Sequence, residues 1–136
     1  MAYIFSHPRI FSDLLVIYKK YYSAHKNLPK IFRVTIGEYI MSELALCMKT
    51  VVMANLKRSK DDYKKSCKLL KGLRARIEIL KSYFLIAWDM KFISHQFFAD
   101  INERLEEVSK EAAKWHDWFE RSLICPKDSG GQPKAS

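Results

Sequence analysis

The 136-residue sequence contains 24 Lys or Arg and 15 Asp or Glu residues, which give it a formal net charge of +9. Its length fits one domain with a modest core, and its 49% hydrophobic content is typical of a globular chain rather than a disordered one. A membrane span of roughly 18 apolar residues, a secretion signal and a C-x-x-C motif are all missing, so we expect a cytoplasmic protein without a disulfide framework.

The first predicted helix begins near Pro8, a residue suited to the first helical turn. Apolar residues then recur at spacings of three and four, which is the period of an amphipathic helix. These positions are Phe11, Leu15, Tyr18 and Tyr22. The helix is expected to end before residues 27–29, whose sequence is NLP.

The second predicted helix covers residues 32–56. Its stretch 40–56 contains only two charged residues, Glu43 and Lys49. Because a helix with so little polar surface must be covered on nearly all sides, this one is expected to contact more than the rest of its own bundle. It therefore predicts contacts with a second subunit.

The third predicted helix starts after Ser59, which resembles an N-cap residue with Asp62 completing a capping box. The helix is expected to continue to about residue 91 along an apolar stripe. The stripe consists of Tyr63, Cys67, Leu70, Leu73, Ile77, Leu80, Phe84 and Ala87. Gly72 lies within this helix and lowers its stability by about 1 kcal/mol relative to Ala.

The fourth predicted helix is capped by Ser94 and runs to about residue 123. Its stripe consists of Phe98, Ile101, Leu105, Val108, Ala112, Trp115 and Phe119. Since short connections make consecutive helices antiparallel, the fold class is all-α, an up-down antiparallel four-helix bundle at residues 1–125. We expect the bundle to form a cyclic homo-oligomer and residues 126–136, rich in Gly and Pro, to form a disordered tail.

Basic residues are concentrated at the start of the third helix, where residues 57–76 contain nine Lys or Arg against two Asp. At about 100° per residue, the lysines fall opposite the apolar stripe. This basic ridge and its flanks consist of Lys57, Arg58, Lys60, Lys64, Lys65, Lys68, Lys71, Arg74, Arg76 and Lys81. Like charges four residues apart destabilise a helix, so this excess indicates an anionic partner, and we interpret the ridge as a nucleic-acid-binding surface.

Two other interpretations of the basic ridge stay open at this point. A solvated helix face accounts for many charge runs, although such faces usually mix Glu with Lys. An anionic membrane surface would attract the same lysines, but the ridge has no large apolar residue that could insert into lipid.

Patterns of catalytic and metal centres are missing from the sequence. It has no phosphate loop, no G-x-S-x-G, no H-E-x-x-H and no Glu-x-x-His pairs of a di-metal bundle. His116 lies one turn before Glu120, which an exposed helical pair explains better than a metal site. We expect Trp115 and Trp118 to pack in the bundle or at an interface rather than to stack on bases. The sequence thus predicts a non-enzymatic protein with no metal and no cofactor.

Several short motifs follow one another in an order that resembles a known family. They are LPK at residues 28–30, Arg33, TIG at 35–37, Ala54, IEILK at 77–81, LIAWDMKFIS at 85–94 and VSKEAAKW at 108–115. In this order and spacing, the chain resembles the Avd family, the accessory variability determinants of diversity-generating retroelements. The resemblance covers residues 11 to 118, and the family belongs with the four-helix-bundle proteins encoded in ribosomal-RNA intervening sequences.

The resemblance implies a non-enzymatic homopentamer that binds the reverse transcriptase of the same element and its template RNA or cDNA. Such a complex makes error-prone cDNA that diversifies a target gene, a process called mutagenic retrohoming. The basic ridge would hold the nucleic-acid backbone during synthesis. The alternative is a stand-alone four-helix-bundle protein of the intervening-sequence type, with weak or unknown RNA binding.

Overall fold

The computed structural model describes residues 8–56 and 60–124, and the side chains of all of these except Lys60 and Ile124. Within these ranges the chain is helical and contains no strand, which confirms the all-α prediction. The helices are α1 (Arg9–His25), α2 (Lys30–Arg33), α3 (Ile36–Asn55), α4 (Lys60–Asp89) and α5 (His95–Ile124). The predicted tail at residues 126–136 and the predicted cap Ser59 lie outside the described residues.

The four long helices pack together around one core. Helix α4 lies against α3 and α5, and α1 also lies against both α3 and α5, while the short α2 packs on α3. The apolar stripes predicted for α4 and α5 supply much of the core, from Leu70 to Ala87 and from Ile101 to Phe119. None of the described helices combines the length and the hydropathy that a membrane span requires.

The buried face of α1 is displaced from the predicted one by one position along the sequence. The buried side chains are Ile10, Leu14, Ile17 and Tyr21. The predicted stripe of Phe11, Leu15, Tyr18 and Tyr22 was therefore wrong: the first three are half-buried and Tyr22 is 63% exposed. Both sets have the same three-four spacing, so the period alone could not choose between them, and the positions of α3 and α5 decide which set is covered.

The predicted helix 32–56 is divided into α2 and α3 by a break at Val34 and Thr35. The Thr35 hydroxyl donates a hydrogen bond to the carbonyl oxygen of Ile31 at 2.6 Å, and such local bonds compete with helix continuation. Gly37 then allows α3 to start close to α1. A Cβ atom at this position would lie 2.9 Å from the hydroxyl of Tyr21 and 3.0 Å from the carbonyl oxygen of Phe32.

The junction between α4 and α5 is closed by local hydrogen bonds. Lys91 has a left-handed backbone with φ of 64°, and the amide of Phe92 donates to the carbonyl oxygen of Ala87 at 2.9 Å. This is the Schellman arrangement, which here ends α4 without a glycine. Helix α5 then begins as predicted, since the amide of Phe97 donates to the hydroxyl of Ser94 at 3.0 Å.

Candidate nucleic-acid interface

The basic ridge lies on the side of α4 that faces away from the core. Its exposed members are Lys64, Lys65, Lys68, Lys71 and Arg74. The residues on the opposite side of the helix are fully buried, namely Leu70, Leu73, Ile77 and Leu80. The predicted orientation of these basic side chains is therefore confirmed, because the stripe and the ridge follow one uninterrupted helical period from Lys64 to Lys81.

For three predicted members of the ridge, the structure does not describe the side chain. Lys57 and Arg58 lie outside the described residues, and Lys60 begins α4 without a described side chain. Asp61 and Asp62 follow in the first turn of the helix, where the helix dipole favours carboxylates.

Lys64, Lys68 and Lys71 form a lysine row along the outer face of α4. At 1.5 Å per residue, their positions are separated by about 6 Å and about 4.5 Å along the helix axis. No carboxylate of the described chain lies within ion-pair distance of any of the three. The row therefore presents three unneutralised positive charges to solvent, with Lys65 exposed beside them.

Two predicted ridge residues are engaged within the protein instead. Arg76 pairs with Glu43 of α3, with 2.9 Å between Nη1 and Oε1. Lys81 pairs with Glu78 at 3.1 Å and also with Glu106 of α5. These ion pairs link α4 to both of its neighbours, so Arg76 and Lys81 are less available to an external anion than the lysine row.

Arg74 occupies an intermediate position at the edge of the ridge. It is exposed, and its Nε donates a long hydrogen bond of 3.5 Å to the hydroxyl of Ser109 on α5. The bond involves no charge on Ser109, so the guanidinium keeps its full positive charge and its remaining donors.

The acidic residues are concentrated on a different side of the molecule. A groove of about 210 Å³ between α1 and α5 is lined by Asp13, Asp100, Glu103, Glu107 and Glu111, together with Arg9 and Arg104. Burial and a hydrogen bond with Asp13 raise the pKa of Glu111 to about 8. The groove lies between α1 and α5, whereas the lysine row lies on the outer face of α4. The groove was not predicted, since it depends on which acids of α5 face α1.

Nucleophilic and metal-binding groups show no arrangement typical of catalysis in the described ranges. Burial raises the pKa of Cys47 to about 12, so its thiol stays protonated at neutral pH. His116, Asp117 and Glu120 place their ligand atoms within 4.8 Å of one another, but both carboxylates are exposed on the same helix. His25 is engaged with the Tyr21 hydroxyl at 2.9 Å.

The two tryptophans of α5 pack inside the protein, as predicted. Trp115 is 5% exposed and lies against Phe119 with 5.6 Å between ring centroids. Trp118 is half-buried and packs on Tyr63 of α4 at 5.7 Å. Trp115 therefore has no exposed face for base stacking, and Trp118 is engaged with Tyr63.

In comparisons with known proteins, no family model, no curated protein and no solved structure matches the chain.

Proposed function

We propose that the protein is a non-enzymatic, nucleic-acid-binding accessory subunit of the reverse transcriptase of a diversity-generating retroelement. The observation that carries nucleic-acid binding is the exposed, unpaired lysine row of Lys64, Lys68 and Lys71. Phosphate backbones are the natural partner of such a row, because each neutralised phosphate releases a condensed counterion. The choice of the reverse transcriptase and the template RNA as partners rests on the resemblance of the sequence motifs to the Avd family.

The proposed architecture is an up-down antiparallel four-helix bundle. Contacts between helix ends support it: the Ser66 hydroxyl at the start of α4 donates to the carbonyl oxygen of Ala54 at the end of α3. Tyr63, also at the start of α4, packs on Phe119 near the end of α5. In this arrangement α4 is held between α3 and α5, and its outer face stays accessible to a nucleic-acid strand.

The proposed role of the lysine row is to position nucleic acid, not to read its sequence. Lysines that meet phosphates fix the register of the strand and carry no base information. This fits an accessory subunit that must hold any template or cDNA segment while the polymerase copies it. The subunit would act in the cytoplasm, with no cofactor, and support the mutagenic cDNA synthesis of retrohoming.

The proposed active form is a homo-oligomer, with five subunits as the resemblance implies. Tyr39, Leu46 and Met53 on the outer side of α3 support assembly, because they are large apolar side chains exposed on a single subunit. Assembly would bring several lysine rows to one nucleic-acid molecule, which raises avidity without any new type of contact.

Co-expression with the reverse transcriptase of the same element tests the accessory role. We expect the two proteins to purify as one complex through size-exclusion chromatography at moderate salt, and added template RNA to comigrate with it. If the two proteins elute separately and the isolated chain binds RNA weakly, the stand-alone protein of the intervening-sequence type is the better description.

A further inference from the structure

Among the described residues, no exposed aromatic ring lies beside the lysine row. Tyr63 precedes Lys64 in the sequence, but its ring is half-buried and packs on Trp118 and Phe119, with 5.7 and 5.2 Å between ring centroids. Proteins that hold unpaired strands usually combine a basic surface with aromatic rings, because each stacked base adds to the affinity. An unpaired strand on the lysine row would therefore gain its phosphate contacts without this stacking.

The exposed rings lie toward the other end of α4. In the described part of the chain, the exposed aromatic residues are Tyr22, Tyr39 and Trp88. Tyr39 packs on Tyr83 with 6.1 Å between ring centroids, and Tyr83 lies about 18 Å beyond Lys71 along the helix axis at 1.5 Å per residue. Trp88 is farther along α4, and Tyr22 follows Tyr21, which packs on Phe84 at 5.7 Å. These rings are too far from the row to stack on a base whose own phosphate meets one of its lysines.

Arg74 is a planar group at the edge of the ridge, and guanidinium planes can also stack on bases. Its Nε donates to the hydroxyl of Ser109 on α5, and Ser109 is buried. The side chain of Arg74 therefore lies toward α5, whereas the lysine row faces solvent.

The length of the lysine row indicates which form of nucleic acid gives it more charge to contact. From Lys64 to Lys71 the row spans about 10.5 Å along the helix axis. A duplex carries about one phosphate charge per 1.7 Å of its axis and each strand about one per 3.4 Å, so roughly six phosphates of a duplex but roughly three of one strand lie within this length. A duplex is also already ordered, whereas a flexible strand loses conformational freedom when it binds.

We infer that the lysine row holds a base-paired segment of RNA in preference to an unpaired strand. The lysines contact phosphates along the duplex, and the paired bases already stack on one another, so they need no ring from the protein. The inference rests on nucleic-acid binding by the lysine row in the proposed function and names the form of RNA that the row takes. Within the proposed complex, the subunit holds folded regions of the template RNA.

Fluorescence anisotropy at one salt concentration tests the inference with a labelled RNA duplex and with each of its own strands alone, in a sequence without self-complementarity. We expect the duplex to bind at least tenfold more tightly than either strand. The affinity for the duplex should also fall more steeply with salt, because its charge density is higher. Equal affinities, or tighter binding of an unpaired strand, overturn the inference and leave the proposed function in place.

Variants of the lysine row show whether the preference belongs to this surface. Lys64→Glu with Lys68→Glu should lower the affinity for the duplex at least tenfold and reduce the preference for it. The control, Lys110→Glu with Lys114→Glu on the exposed face of α5, should keep the preference. If the double variant does not fold by circular dichroism, Lys68→Ala should still bind the duplex more weakly than the wild type. A wild type that binds neither form, or a folded row variant that binds the duplex as tightly as the wild type, overturns the proposed function together with the inference.

Discussion

The two halves of α4 share one buried stripe and differ in what they present outward. In the first half, Leu70 and Leu73 are fully buried beneath exposed lysines. In the second half, Leu80 and Phe84 are equally buried, but the exposed residues include Ile79, Leu85 and Ile86. The buried side of α4 is therefore uniform along the helix. Its outer face is divided into a region suited to phosphates and a region suited to an apolar partner.

The largest expected effect tests whether the two halves are equally well packed. Leu73→Ala and Leu80→Ala should each lower the free energy of unfolding by about 2–5 kcal/mol, because each leaves a cavity in the core. Denaturant titration measures both. The exposed Lys68→Ala should stay within about 0.5 kcal/mol of the wild type. A loss below about 1 kcal/mol at either leucine would show that its half of α4 is not part of the core.

A second prediction concerns the pH dependence of stability, which we assign to the acidic groove between α1 and α5 and not to the basic ridge. Burial and Asp13 raise the pKa of Glu111 from 4.5 to about 8, so the folded protein binds this proton more tightly than the unfolded chain. The stabilisation is present at low pH and is lost as the pH rises from 4.5 to about 8.

Thermal unfolding between pH 5 and pH 9 measures this dependence, in buffers of constant ionic strength. Glu111→Gln should flatten the curve, since the amide cannot ionise beside Asp13. A variant whose melting temperature depends on pH as strongly as the wild type would assign the effect to other groups.

The smallest expected effect compares a paired basic residue with an unpaired one on the same helix. A double-mutant cycle on Arg76 and Glu43 should give a coupling energy of about 0.2–1 kcal/mol, as for other partly exposed ion pairs. Lys71→Ala should leave stability unchanged but should weaken RNA binding more than Arg76→Ala does. Equal losses of RNA affinity in both variants would contradict the distinction between them.

The sequence was sufficient for the orientation of α4 but not for that of α1. In α4 the apolar residues follow one uninterrupted three-four series, so Leu70, Leu73 and Ile77 define a single buried side. In α1 the neighbouring residues Leu14 and Leu15 are both apolar, and two registers satisfy the same period. Which register is buried depends on the position of α3 and α5, which no local pattern contains.

The ion pairs of the ridge depend on tertiary contacts in the same way. Arg76 and Lys81 share the charge of the lysine row and could not be separated from it by composition or spacing. Glu43 and Glu106, the partners of Arg76 and Lys81, are 33 and 25 residues away along the chain, so their proximity follows from the packing of α3 and α5 on α4. The break before α3 was missed because Thr35 acts through a local hydrogen bond within an otherwise apolar helical pattern.

The central claim is that the lysine row on α4 binds nucleic acid. It is tested most directly by fluorescence anisotropy with labelled single-stranded RNAs of unrelated sequence. The ridge variant is Lys64→Glu with Lys68→Glu, and the control is Lys110→Glu with Lys114→Glu, which makes the same charge change at the same spacing on the exposed face of α5. Circular dichroism of both variants is the control for folding.

We expect the ridge variant to lose at least tenfold in affinity for every RNA. Its log–log salt dependence should become shallower by roughly 1.4, because each lost phosphate contact contributes roughly 0.7 on single strands. The control should bind much more tightly than the ridge variant. A ridge variant that binds as tightly as the wild type, or two variants that lose affinity equally, would contradict a nucleic-acid interface on α4.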